Sequence, residues 1–446
     1  MDVGESRVGN YTVWRPVGRL DDATSGAFHT RLVAALGEGG ADIILDFTTV
    51  DYVSSSGLRA LIAAAKAKPP SRRLAIAAFN PVVREVFTIS RLHEVIPLSG
   101  SVAEVASAWD AAQLPTERRQ RVPAASPAIP VRFWGTRGSL PAPLAADAVR
   151  HKIRDALLLA RQRDVATAAA IDAFIDRELP FATKGTFGGN SACVEIGGGS
   201  EFLLCDLGSG VREFGSHLMA AHGPAATHSF NVFLSHVHWD HIMGFPFFAP
   251  AYIPGNRIRI HGCHEVLREA LVRQQSPPCF PVPFESLAAT IEFVTLEPGV
   301  DYQIGGFTVR PIRQFHEGES YGYRFSRGGK TIVYSTDCEH KASVLDESYP
   351  FVPFFRDADL LIFDAMYSLA EAVSVKEDWG HSSNIIAVEL AQLARVKRLV
   401  LFHHEPAYDD ARIERVLAET IRYEEISRED HKVEILSAYD GLELAV

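Results

Sequence analysis

Thiols and long apolar runs are what this chain has least of. It contains five cysteines, Cys193, Cys205, Cys263, Cys279 and Cys338, an odd number with no CxxC spacing. Neither a disulfide framework nor a thiolate zinc site is therefore suggested, and the cysteines are expected to be small buried hydrophobes. No apolar run approaches the ~20 residues needed to span a bilayer, so no membrane segment is expected. Met1 to Trp14 lacks the basic stretch and apolar run of a secretory signal, so a cytoplasmic protein is expected. No P-loop pattern occurs, and the glycine clusters read as tight turns rather than phosphate cradles. A surplus of positive charge is missing as well. Lys and Arg number 44 against 55 Asp and Glu, a formal net charge of -11. Residues 1 to 120 hold 13 of each sign, so the whole acidic excess lies beyond them. An acidic C-terminal part disfavours an extended polyanionic substrate, which positive surface would gather.

What is present is an ordinary globular composition, 47% hydrophobic and 22% charged over 446 residues. That length predicts two or three units of about 150 residues. From Ala111 to Pro130 the sequence runs AAQLPTERRQRVPAASPAIP, rich in proline, alanine and charge without apolar periodicity, which predicts a linker over 113–130. Before it, β-rich runs (Tyr11 to Pro16, Ile43 to Phe47, Leu74 to Phe79) alternate with helical patterns (Gly26 to Leu36, Leu58 to Lys66, Val82 to Ser90, Val102 to Ala112), predicting a small α/β sandwich over 10–112. After it, strands are expected at Val131 to Gly135, Ala192 to Ile196, Phe202 to Asp206, Asn231 to Ser235, Phe307 to Arg313, Tyr321 to Arg327, Thr331 to Ser335, Leu360 to Asp364 and Arg398 to His403. Residues 145–179 break this rhythm with helical spacing (Ile153, Leu157, Ala160; Ile171, Phe174, Ile175) and predict a two-helix insertion.

In NVFLSHVHWDH an apolar strand ends at Ser235 and is followed at once by His236, His238, Asp240 and His241. Four imidazole or carboxylate donors within six residues suit Zn²⁺, Mn²⁺ or Fe, and without thiolates they do not describe a structural zinc site. The alternation of His236 and His238 aims both to one side, while Asp240 and His241 follow around the turn toward a second ion. Further ligands are expected at later strand ends: His316 after FTVRPIRQF, Asp337 after TIVYST and His403 after RLVLF. A titratable group placed directly after a core strand is costly unless it is used.

These residues resemble the metallo-β-lactamase superfamily, in the branch similar to ribonuclease Z and small phosphodiesterases, over residues 131–446. The expected fold class is thus α/β: a small α/β sandwich followed by a four-layer αββα hydrolase. The resemblance implies two divalent ions, Zn²⁺ foremost with Mn²⁺ or Fe as alternatives. His236, His238 and His316 would hold one, Asp240, His241 and His403 the other, and Asp337 would bridge them. Aligning LVLFH selects His403 over His404. The motifs GTRGS (Gly135 to Ser139), GGNSACVEI (from Gly188) and LCDLGSG (ending at Gly210) fall in family order. Asp206 corresponds to an aspartate that orients a ligand histidine, or else is a turn former before glycine. His381, in WGHSSN, corresponds to a residue beside the substrate that stabilises phosphoryl charge or protonates the leaving oxygen; its alternative is a helix cap.

Residues 10–112 resemble a STAS domain, the fold of anti-sigma factor antagonists, through GRLD (Gly18 to Asp21), IILDF and DYVSSSGLR (Asp51 to Arg59). By that resemblance Ser55 would be the phosphorylated serine and an anti-sigma factor or serine kinase the partner. Ser54 stands where the family commonly has aspartate, and SSSG also reads as a helix cap and turn. The expected protein is a metal-dependent phosphodiesterase with catalytic Asp240 and His381, regulated by its STAS domain. Only 20 residues separate His316 from Asp337, leaving no room for the long arm of tRNA-processing members, so a small phosphodiester such as a cyclic nucleotide is expected rather than tRNA. The alternatives are a partner-switching protein whose metal domain is a sensor, a thioester or lactone hydrolase, and, more weakly, a flavin-linked diiron reductase. Oligomeric state is left open, a homodimer included.

Overall fold

A computed structural model describes residues 2–8, 11–37, 42–69, 72–77, 79–90, 92, 95–107, 128–163, 165–199, 201–223, 226–340, 345–368, 371 and 379–446. The N-terminal part is a mixed sheet with helices. Strands β1 (Asp2–Val8), β2 (Tyr11–Leu20), β3 (Ile43–Asp46), β4 (Val50–Val53), β5 (Leu74–Ala77) and β6 (Leu98–Ser99) run in the order β1-β2-β3-β5-β6, with β4 also paired to β2. The strand Asp2–Val8 lies ahead of the domain start expected at residue 10 and pairs antiparallel with β2. Helices α1 (Asp22–Leu36), α2 (Ser55–Ala67), α3 (Pro81–Ile89) and α4 (Val102–Ser107) complete it. Local chemistry sets their starts. The Ser54 hydroxyl accepts from Gly57 N–H at the head of α2, and Asn80 caps α3 ahead of Pro81, whose missing N–H costs nothing in a first turn. The expected helix to Ala112 is described as far as Ser107; residues 108–112 and the expected linker up to 127 lie outside the described residues. Pro130, taken as the last linker residue, begins a strand.

The rest of the chain forms two seven-stranded sheets. One runs β12-β11-β10-β9-β8-β7-β20: β7 (Pro130–Gly135), β8 (Cys193–Ile196), β9 (Phe202–Cys205), β10 (Ser229–Phe233), β11 (Arg257–Gly262), β12 (Thr290–Thr295) and β20 (Glu443–Ala445). The other runs in chain order from β13 to β19: β13 (Tyr302–Ile304), β14 (Phe307–Gln314), β15 (Ser320–Arg327), β16 (Lys330–Ser335), β17 (Leu360–Asp364), β18 (Arg398–Phe402) and β19 (Glu434–Ser437). Alternation of side chains along each strand decides the layers. In β17, Leu360 and Ile362 join Phe133, Phe233 and Phe325 between the sheets, whereas Leu361 and Phe363 face the helices Asn384–Leu393 and Asp410–Ser427 on the outside. Helices Gly210–His222 and Leu267–Gln274 cover the far face of the first sheet. The result is four layers, αββα.

The expected insertion is present as helices Ala146–Ala160 and Ala168–Arg177, between β7 and β8. The first has no buried residue and exposes Ile153, Leu157, Leu158 and Leu159. The expectation for the cysteines needs correction: Cys193, Cys205 and Cys338 are buried, but Cys263 is half-buried and Cys279 is exposed. Cys279 lies in the turn after the Pro277–Pro278 pair, outside any strand. Among the described residues no helix is long and apolar enough to cross a membrane.

Candidate metal centre

Parallel strands β10, β16, β17 and β18 deliver their C-terminal ends to one edge of the sandwich, where loops can present donors from a rigid base. His236, His238, Asp240 and His241 follow β10, His316 follows β14, Asp337 follows β16 and His403 follows β18. The structure brings all seven together as two groups. His236, His238 and His316 form one; Asp240, His241, Asp337 and His403 form the other. Nε2 of His236 and Nδ1 of His238 approach within 2.9 Å, and Nε2 of His316 lies 3.1 Å from the same Nδ1. Nε2 of His241 and of His403 are 3.1 Å apart, and Asp240 Oδ2 lies 3.1 Å from the first and 3.2 Å from the second. Donors on a tetrahedral ion with bonds of ~2.0–2.1 Å sit about 3.3 Å apart. Both groups have that spacing.

Asp337 stands between them. Its Oδ2 is 3.6 Å from His236 and 3.8 Å from His316, and its Oδ1 is 3.3 Å from both His241 and His403. Among the described residues, the ion-pair partners of Asp240 and Asp337 are all imidazoles, none Lys or Arg. Burying two carboxylates without a fixed cation is expensive, so the donor set fits divalent ions. Electrostatics carries the same signature. Burial opposes charge on Asp240, yet His241 and His403 hold its carboxyl far below the ordinary range. Burial also opposes charge on His241, but Asp240, Asp337 and Asp206 overcome it and push its pKa well above the ordinary value. That excess negative potential is what a cation would neutralise.

The supporting groups are equally specific. His241 Nδ1 donates to Asp206 Oδ2 at 2.7 Å, leaving Nε2 facing the site. Asp206 also accepts from Ser235 N–H, the Ser235 hydroxyl and the Tyr334 hydroxyl, each at 2.7 Å. His316 Nδ1 donates to Gly380 O at 2.9 Å, and Ser139 N–H donates to Asp240 Oδ2 at 2.8 Å, which gives the GTRGS turn its place. Asp206, Asp337 and His403 all have left-handed φ, 61°, 44° and 61°. Non-glycine residues held there cost about 1–3 kcal/mol each and cluster at functional sites.

His381 joins the edge of this centre. It is 8% exposed, stacks on His403 at 5.1 Å and sits 5.2 Å from His316. Its Nδ1 lies 2.8 Å from Asp364 Oδ2. Burial opposes its protonation, but Asp364, with Asp337 and Asp240 behind it, raises its pKa to about 9. It does not cap the following helix; the Ser383 hydroxyl does, accepting from Ile386 N–H. His404 points away and bonds Ala438 O at 2.9 Å. Sequence reasoning missed Asp364. Asp364 ends a strand whose every residue is buried, so LLIFD by itself does not set it apart from a core position. Ser55 lies apart from the centre, 5% exposed at the contact between the two parts of the chain.

Comparison with known proteins follows these two parts. Residues 5–105 match the STAS domain family, and residues 203–404 match the beta-lactamase superfamily domain. The first part is 31% identical over 96 residues to the putative anti-sigma factor antagonist BtrV of Bordetella bronchiseptica, covering 21% of this chain and 83% of that protein. The second is 26% identical over 236 residues to ribonuclease Z of Thermoplasma acidophilum, covering 41% of this chain and 71% of that protein. It is also 29% identical over 124 residues to the probable metallo-hydrolase YhfI of Bacillus subtilis, covering 27% of this chain and 46% of that protein. The class is a metal-dependent hydrolase. Residues 203–404 make up a beta-lactamase superfamily domain, and a STAS domain, residues 5–105, precedes it.

Proposed function

We propose that the chain is a dinuclear phosphodiesterase acting on a small phosphodiester such as a cyclic nucleotide. The observation that carries this is the carboxylate of Asp337 set between two donor groups, with His381 held by Asp364 at their edge. His236, His238 and His316 would hold one ion, Asp240, His241 and His403 the other, and Asp337 both. Two divalent ions there supply Lewis-acid chemistry for in-line attack at phosphorus. The protein's own groups do the rest. Asp206 fixes the tautomer of His241, Gly380 O fixes that of His316, and Asp240 would both hold an ion and orient the attacking water. His381, its ring aimed by Asp364, is protonated at neutral pH and donates Nε2–H to the leaving oxygen.

Substrate size follows from the chain between His316 and Asp337, which is occupied by the β15–β16 hairpin. No long arm projects there to hold a folded RNA. Zn²⁺ is the ion favoured by an all-imidazole and carboxylate set. The STAS domain is the regulatory module, with an anti-sigma factor or serine kinase as its outside partner. A phosphate on Ser55 requires its docked face to open first.

Elemental analysis with turnover of bis-p-nitrophenyl phosphate, a thioester and a lactone tests this proposal. Bound metal with preference for the diester is expected. Preference for the thioester or lactone overturns the phosphodiesterase assignment, and metal-free protein with no turnover overturns the enzyme.

A further inference from the structure

The head of α2, the face that carries Ser55, is already occupied within the chain. Ser55 N–H donates to Glu389 Oε1 at 2.9 Å, and the Ser55 hydroxyl donates to Glu389 Oε2. The Tyr423 hydroxyl donates to the same carboxylate at 2.7 Å, and outside this contact Arg422 pairs with Glu85 at 2.5 Å. One turn further along α2, Arg59 donates through Nη2 to His340 O at 3.1 Å. Apolar side chains of α2, Leu58, Leu61 and Ile62, belong to one continuous core with Ile385, Ile386 and Phe351 of the hydrolase domain.

Both polar anchors end on segments that carry the centre. Glu389 lies on the helix Asn384–Leu393, which begins three residues after His381. His340 lies three residues after Asp337. The two segments are tied to each other: His340 N–H donates to Ser382 Oγ at 3.0 Å, and the Ser382 hydroxyl donates to Cys338 O at 2.6 Å. Cys338 N–H donates to Asp364 Oδ2 at 3.2 Å, the oxygen that holds His381. A shift of α2 therefore moves the backbone on either side of His381 and Asp364 together, with little slack, since these groups are buried in a close-packed layer.

We propose that the STAS domain is a built-in brace of the hydrolase centre, and that Arg59 and the Ser55–Glu389 pair are positioning residues that hold His381 at its angle to the leaving oxygen. This rests on the proposed role of His381 as proton donor. Occupation of the α2 face in cis also makes an outside partner a competitor of the brace: a protein that takes this face lets His381 drift, and turnover falls. A misplacement of ~1 Å at a reacting group can cost on the order of 10²-fold.

Proton donation matters most when the leaving oxygen is a poor one, so the ratio of kcat for diphenyl phosphate to kcat for bis-p-nitrophenyl phosphate reads the state of His381. Both rates are measured on one sample of the full chain loaded with Zn²⁺, so the ratio is independent of how much of it is folded. His381→Ala is expected to lower the ratio ~100-fold or more. Arg59→Ala and Ser55→Glu, which sets a second carboxylate against Glu389, are expected to lower it about tenfold, within that ceiling, at unchanged KM and metal content, with Arg59→Lys restoring most of it. An unchanged ratio in His381→Ala overturns the proton-donor role. A lowered ratio in His381→Ala with wild-type ratios in Arg59→Ala and Ser55→Glu overturns the brace alone.

Discussion

Substituting Gly380 by alanine puts the site's geometry to a severe test, because Gly380 is neither a ligand nor near one in sequence. Its φ is +82°, a conformation that L side chains rarely adopt, and a Cβ added there would lie 2.3 Å from His316 Nδ1. Ordinary contact begins at 3.4 Å. The His316 ring must therefore retreat by about 1 Å, or the Gly380 loop must open and give up the carbonyl that orients it. Left-handed strain costs a further ~1–2 kcal/mol of stability. Loss of an orienting partner typically lowers metal affinity 10–100-fold, and a displaced ligand of ~1 Å lowers turnover on the order of 10²-fold. Titration of the apo protein with Zn²⁺ should show the ion shared by His236, His238 and His316 weakened and the other retained, with kcat on bis-p-nitrophenyl phosphate reduced accordingly. Two equivalents bound with wild-type affinity and wild-type turnover would refute the placement of His316.

Other consequences follow from the same geometry. Asp240→Ala removes a carboxylate lying against His241 and His403 and should cost the second ion and at least ~10³-fold in turnover, read by elemental analysis and initial rates. Asp206→Ala strands Ser235, Tyr334 and His241 in the core; the melting temperature should drop by several degrees, consistent with ~3–5 kcal/mol for one partner of a buried charged network. Burial, with Arg59 nearby, depresses the pKa of His340 to about 3. The unfolded chain then binds more protons than the native one between that value and the ordinary 6.5, so stability is full above about 6.5 and falls as pH drops toward 3. Melting temperature against pH should slope upward over that window, and His340→Gln should flatten it; an equal slope in the variant would place the effect elsewhere.

The centre was legible because strand and ligand are written in different alphabets. Residues 229–233 are a core strand and 236–241 carry four donors, and the same abrupt change marks His316, Asp337 and His403. The sheet positions that do not carry this contrast stayed hidden: β19 and β20 are short and part-buried, so their alternation is too brief to register. Asp364 ends a strand with every residue buried, and nothing in LLIFD distinguishes it from a core position until His381, seventeen residues on, is found beside it. The left-handed turns at Asp337 and His403 are equally silent in sequence, since neither residue type demands that conformation. Least visible was the docking of α2. Ser55 and Glu389 are 334 residues apart, and no local pattern in SSSGLR or in NIIAVELAQL ties one to the other. The cysteines misled for a related reason: burial depends on the element reached, and Cys279 lies in none.

Metal stoichiometry in the full chain and in Asp337→Ala tests the central claim most directly. Two divalent ions per wild-type chain are expected, falling to one or fewer with loss of turnover when the shared carboxylate is gone. Asp337→Ala that still binds two ions and turns over at the wild-type rate would contradict a dinuclear centre built on Asp337.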